Sequence, residues 1–107
     1  MTNDQIRDVQ KEIASAVSTN RVVLFMKGSP QFPQCGFSAS AVKILSEVGV
    51  KDFAFVNVLD DNAIREGIKQ YSSWPTVPQL YIDNEFIGGA DIMREMHQSG
   101  ELAQLVK

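Results

Sequence analysis

The chain predicts an α/β fold, a four-stranded mixed sheet flanked by helices on both faces, and three observations carry that expectation. Segments with apolar residues at helical spacing alternate with short β-type runs, in the order α-β-α-β-α-β-β-α. One run, Val22-Val23-Leu24-Phe25-Met26, is apolar at every position, as a central strand buried on both faces should be. The last two strands are parted only by Asp83-Asn84, so a βαβ unit leads into an antiparallel hairpin.

Ile6, Val9, Ile13 and Val17 mark the first helix, which runs to about Ser18 with Asp4 as an early cap. Arg21 to Met26 is the central strand, and Gly28, Pro30 and Pro33 punctuate the loop Lys27–Gln34. Ala41, Val42, Leu45 and Val48 line a second helix closed by Gly49. Phe53 to Val58 alternates and reads as a second strand. Asp60-Asp61-Asn62 supplies cap chemistry for a helix from Ala63 to Tyr71, with Ile64 and Ile68 on one face. The constrained turn Trp74-Pro75-Thr76-Val77-Pro78 precedes a strand over 79–82, and a short strand over 85–87 follows the hairpin turn. Gly88-Gly89 breaks that pair. A last helical region opens at Asp91, carries Ile92, Met93 and Met96, and is interrupted by Gly100 before Leu102, Leu105 and Val106.

At 107 residues the chain is expected to form one domain, over 1–107, with a core that needs no disulfide or metal. A net charge of -3 argues against a nucleic-acid partner, which would ask for a basic stripe. No apolar stretch approaches the roughly 20 residues that span a bilayer, so no membrane role is expected. One cysteine excludes a secreted disulfide scaffold and fits a reducing compartment. Met1 to Gln5 resembles neither a secretory signal nor an Arg-rich transit peptide. A bacterial-type cytoplasm is the first expectation, and a mitochondrial matrix fits if a leader has been removed.

That single thiol, Cys35, falls where a helix should begin, after a Pro-rich loop and before Gly36. A lone cysteine is commonly a small buried hydrophobe. The neighbours here describe an accessible turn instead, and amide N–H groups at a helix start favour the thiolate.

Four blocks then stand together: Lys27-Gly28-Ser29-Pro30, Pro33-Gln34-Cys35-Gly36-Phe37-Ser38, Trp74-Pro75-Thr76-Val77-Pro78-Gln79 and Gly88-Gly89-Ala90-Asp91. In order and spacing they resemble the monothiol glutaredoxins of the CGFS type, over nearly the whole chain. The resemblance implies a thioredoxin-like fold, a glutathione-binding groove and a 2Fe–2S cluster shared by a homodimer. Dithiol relatives carry a second cysteine where this chain has Ser38, and their loop before the active cysteine is shorter. Many CGFS members have cysteine where this chain has Ala90, so a disulfide from Cys35 to that position is excluded here.

The resemblance also assigns roles. Cys35 is the catalytic thiol and the cluster ligand. Lys27 lowers its pKa and pairs with the glycine carboxylate of glutathione, which Arg65 also binds. Lys69, one turn beyond Arg65, reads as ordinary solvated charge. Thr76-Val77-Pro78 resembles a turn ending in a cis proline, with the Val77 N–H and C=O pairing to glutathione as an added strand. Ala90 acts through its backbone at a helix start, and Asp91 takes the γ-glutamyl amine, although a plain helix N-cap explains Asp91 equally well. Phe37 shields the thiol and cluster. Trp74 reads as packing, Pro75 as rigid loop, and His97 as a surface or packing residue.

Such clusters need about four sulfur ligands. Two chains bring two thiols, and two glutathione molecules supply the others. Three functions follow from the resemblance. The chain is expected to carry clusters to apo iron–sulfur proteins. The alternative is a glutathione-dependent thiol–disulfide oxidoreductase working through Cys35. A third, compatible with the first, is a regulatory module that joins a BolA-type protein.

Overall fold

The computed structural model describes residues 7–107. Its sheet has four strands in the order β2-β1-β3-β4: β1 Val22–Met26, β2 Ala54–Asn57, β3 Gln79–Ile82 and β4 Glu85–Gly88. β1 runs parallel to β2 and antiparallel to β3, and β3 pairs with β4 in the expected hairpin. Asp83 and Asn84 take φ of 50° and 69°, the left-handed geometry a two-residue turn demands.

The apolar run at β1 is explained by its central place, since all five residues are buried. Its side chains alternate between two cores. Val22, Leu24 and Met26 pack with residues of α2 (Gly36–Glu47), α4 (Ala90–Ser99) and α5 (Glu101–Leu105). Val23 and Phe25 face α1 (Val9–Thr19) and α3 (Asn62–Ser72). Helices therefore cover both faces. β2 lies at an edge, and Phe55 there is 43% exposed.

Two caps differ from expectation. α1 is capped by Asp8, whose side chain accepts the Lys11 N–H at 3.0 Å, while Asp4 and Ile6 lie outside the described residues. α4 starts one residue before Asp91, at Ala90, with Gly89 as its N-cap. Gly89 supplies the extended backbone, and its carbonyl accepts the Met93 N–H at 3.0 Å, so Asp91 is left inside the first turn. Asp61 caps α3 as the Asp60-Asp61-Asn62 run suggested, accepting from Ala63 and Ile64.

Topology gathers the functional segments at one end of the sheet. The end of β1 lies beside the start of β3, because Phe25 pairs with Gln79. The end of β4 reaches the same place, with Gly88 opposite Leu80. The loops leading into α2 and α4 consequently meet there.

Candidate functional site

The loop from Lys27 to Gln34 delivers Cys35 through a closed set of main-chain contacts. Gln34 N–H donates to the Lys27 carbonyl at 2.9 Å, and Phe32 N–H to the Ser29 carbonyl at 3.0 Å. Gly28 N–H donates to Asn57 Oδ1 at 2.9 Å, tying the loop to the end of β2. Gly28 has φ +91°, and a Cβ there would sit 2.4 Å from the Phe32 carbonyl oxygen. Only glycine permits so tight a return.

Cys35 is the N-cap of α2, and its Sγ accepts the Ser38 N–H at 3.3 Å. The Ser38 hydroxyl lies 3.4 Å from Sγ and also accepts the Lys27 N–H at 3.0 Å. With its lone pair occupied by Lys27, that hydroxyl has its proton free for a thiolate. Ser38 is fully buried, so the arrangement is rigid.

A groove of about 420 Å³ runs beside this thiol. The ends of β1 and α2 contribute Lys27 and Phe37. One side is lined by Arg65 and Lys69 of α3, another by the turn from Trp74 to Pro78, and the last by the start of α4. The Val77–Pro78 peptide is cis. Among the described residues, neither the N–H nor the C=O of Val77 has a main-chain partner. No group of three or more His, Cys, Asp or Glu residues could hold a metal ion, again among those described. No described helix is long and apolar enough to cross a membrane.

The glutaredoxin family model matches residues 22–87, more than half the chain. A mitochondrial monothiol glutaredoxin-5 of Lachancea kluyveri is 51% identical over 102 residues, 94% of this chain and 71% of its own length. The chain belongs to the monothiol glutaredoxins. A probable monothiol glutaredoxin 2 of Rickettsia typhi is 50% identical, covering 91% of this chain and 86% of that protein. Among solved structures, reduced apo GrxS14 of poplar superposes with a TM-score of 0.79 at 50% identity, covering 92% of this chain and 89% of that one.

In this glutaredoxin, the structure brings Lys27, Phe37, Arg65, Val77, Ala90 and Asp91 together around one groove. Cys35 is not itself a wall residue; Ser38 joins it to Lys27. Burial pushes the Cys35 thiol up, but hydrogen bonds from Ser38 and from the Phe37 N–H, with the charge of Lys27, outweigh it and leave the pKa lowered. The thiolate is thus favoured in a half-buried, reachable position.

Two assignments change, and a third holds with an addition. Lys69, read as solvated charge, stands in the groove wall beside Arg65, while its Nζ also reaches Glu66 at 3.3 Å. Asp91 is not a cap; its carboxylate is exposed and lies 3.3 Å from Arg94. Trp74 does pack, with its ring 5.8 Å from that of Phe86, yet it also lines the groove with Pro75. His97 pairs with Glu47 at 3.1 Å, linking α4 to α2.

Sequence reasoning missed Asn57, whose side chain accepts from both Gly28 and Leu59, and Gln79, which braces the proline turn. A polar residue at the start of a buried apolar strand was the visible hint for Gln79.

Proposed function

We propose that this glutaredoxin carries a 2Fe–2S cluster as cargo and passes it to apo iron–sulfur proteins during cluster biogenesis. Two chains hold the cluster through their Cys35 thiolates, and two glutathione molecules complete the sulfur set. The observation that supports this reading is a single stabilised, reachable thiol beside a groove carrying three cationic residues. One such thiol per chain leaves ligand positions that external thiols can fill.

The groove suits glutathione, an anionic tripeptide. Its volume falls within the roughly 300–1,000 Å³ of small-molecule sites. Lys27, Arg65 and Lys69 offer charge to a carboxylate, and among the described residues no carboxylate pairs with Arg65. Val77 offers unpaired main-chain groups, while the Ala90 and Asp91 N–H groups open α4 beside them. Phe37, 61% exposed, flanks the thiol as an apolar screen. Exchange of bound glutathione gives the cluster a route out. The holo form is then a homodimer, with apo recipients and a BolA-type protein as partners. The mitochondrial and bacterial relatives make either compartment compatible.

Anaerobic reconstitution with iron and sulfide, with and without glutathione, tests the reading through visible absorption and mass in solution. A cluster spectrum that needs both glutathione and Cys35 and appears with a dimer is expected. A colourless monomer under every condition would move the assignment to thiol–disulfide exchange. That second reading is favoured by the reachable thiol with its lowered pKa, which can attack a glutathionylated substrate, take its glutathione as a mixed disulfide and release the substrate thiol. Deglutathionylation rates, set against cluster transfer to an apo-ferredoxin, separate the two.

A further inference from the structure

Ser38 and Gln79 are the fully buried polar side chains among the described residues. Ser38 serves the thiol. Gln79 lies at the start of β3, opposite Phe25 of the central strand, where an apolar side chain of equal volume would fill the space. Burying a primary amide is costly unless its groups are satisfied. Here they are, and the partners have a pattern. Nε2 donates to the Trp74 carbonyl at 3.2 Å and the Thr76 carbonyl at 3.0 Å, while Oε1 accepts from the Tyr81 hydroxyl at 3.3 Å.

The turn needs such a brace. Pro75 and Pro78 have no N–H, so two of the five residues from 74 to 78 cannot donate to a neighbouring carbonyl. One side-chain amide supplies two N–H groups to two carbonyls on either side of Pro75. The other end of the segment is anchored to α3, where Trp74 N–H donates to the Lys69 carbonyl and to Ser72 Oγ. Between these anchors lies Val77, whose N–H and C=O remain open.

We infer that Gln79 is a positioning residue for the groove: its buried amide fixes the Trp74–Val77 wall so that the Val77 main chain stays available to a bound peptide-like thiol. The inference rests on the glutathione reading only for the identity of that ligand. The bracing itself is a property of the chain.

Gln79→Met keeps the volume and removes all three hydrogen bonds. Glutathione affinity by calorimetry and amide hydrogen exchange at Trp74, whose N–H is bonded to the Lys69 carbonyl and Ser72 Oγ, are the two readouts. Leu102→Ala, in the core beneath α5, serves as a control that lowers Tm without touching the turn. Gln79→Met should weaken binding about tenfold and speed exchange at Trp74 about tenfold, with little change in Leu102→Ala. Unaltered exchange and affinity in Gln79→Met would overturn the inference, as would equal losses in the control. Should the wild type fail to bind glutathione, the ligand assignment falls, while the exchange comparison still decides the role of Gln79. If Gln79→Met does not fold, Gln79→Glu replaces it. A neutral buried carboxyl keeps one donor where the amide has two, so exchange should rise by less than tenfold, and wild-type exchange would overturn the inference.

Discussion

At the thiol end of the groove the fixing contacts are directed and centre on one buried side chain, whereas at the α3 end two cations project from helix turns near solvent. Cys35 is held by Ser38, which is fully buried and itself tied to the Lys27 main chain. Arg65 and Lys69 are partly exposed, and Lys69 swings to Glu66 across one turn. The difference matches the tasks. A reacting sulfur must be placed to within a fraction of an ångström, whereas a carboxylate anchor needs charge more than geometry. Substitutions should therefore act steeply and specifically at the first end, and weakly and additively at the second.

The comparison breaks most completely with Cys35→Ser. Thiol alkylation, mixed-disulfide formation and cluster uptake should all vanish, while Tm stays near wild type because serine is also a good N-cap. Gly28→Ala tests whether the loop rather than the thiol sets the geometry. The left-handed φ and the 2.4 Å approach to Phe32 predict a loss of about 2 kcal/mol by denaturant titration. A change within a few tenths would show that the loop relaxes freely.

Ser38→Ala removes one hydrogen bond to the anion and leaves the cap intact. Alkylation near neutral pH should slow about tenfold, and its pH midpoint should move up toward that of a free thiol. The same depressed pKa links folding to pH. The folded chain binds the Cys35 proton less tightly than the unfolded chain, so between the two midpoints the unfolded state holds more protons. Stability should rise with pH through the window just below the ordinary thiol value. That gain is lost as pH falls through the folded midpoint. Cys35→Ser should show no such rise in Tm against pH.

At the α3 end, Arg65→Ala should weaken glutathione binding about fivefold, and Lys69→Ala about twofold, with both losses shrinking as salt is raised. A tenfold or salt-independent loss at Lys69 would place it among the directed contacts and erase the contrast between the two ends.

The sequence by itself determined what depends on local pattern. An all-apolar, β-branched-rich pentapeptide reads as the central strand. Asp83-Asn84 between two short strands reads as a hairpin turn, and a thiol after a proline loop reads as the start of a helix. These outcomes follow from φ/ψ preference and periodicity, which act over a few residues. The tertiary structure decided what depends on neighbours distant in the chain. Asp91 lost the cap because Gly89 adopts the extended geometry two residues earlier, against Pro78 and Trp74. Lys69 joined the groove because the Trp74 turn folds back over α3. Asn57 became a brace because the sheet order brings the end of β2 beside the loop that leaves β1, whereas Gln79 bonds near neighbours and owes its burial to its place opposite Phe25. A buried amide is kept only when its groups are satisfied, and that Gln79 is buried at all was decided by strand pairing across the sheet rather than by the residues beside it.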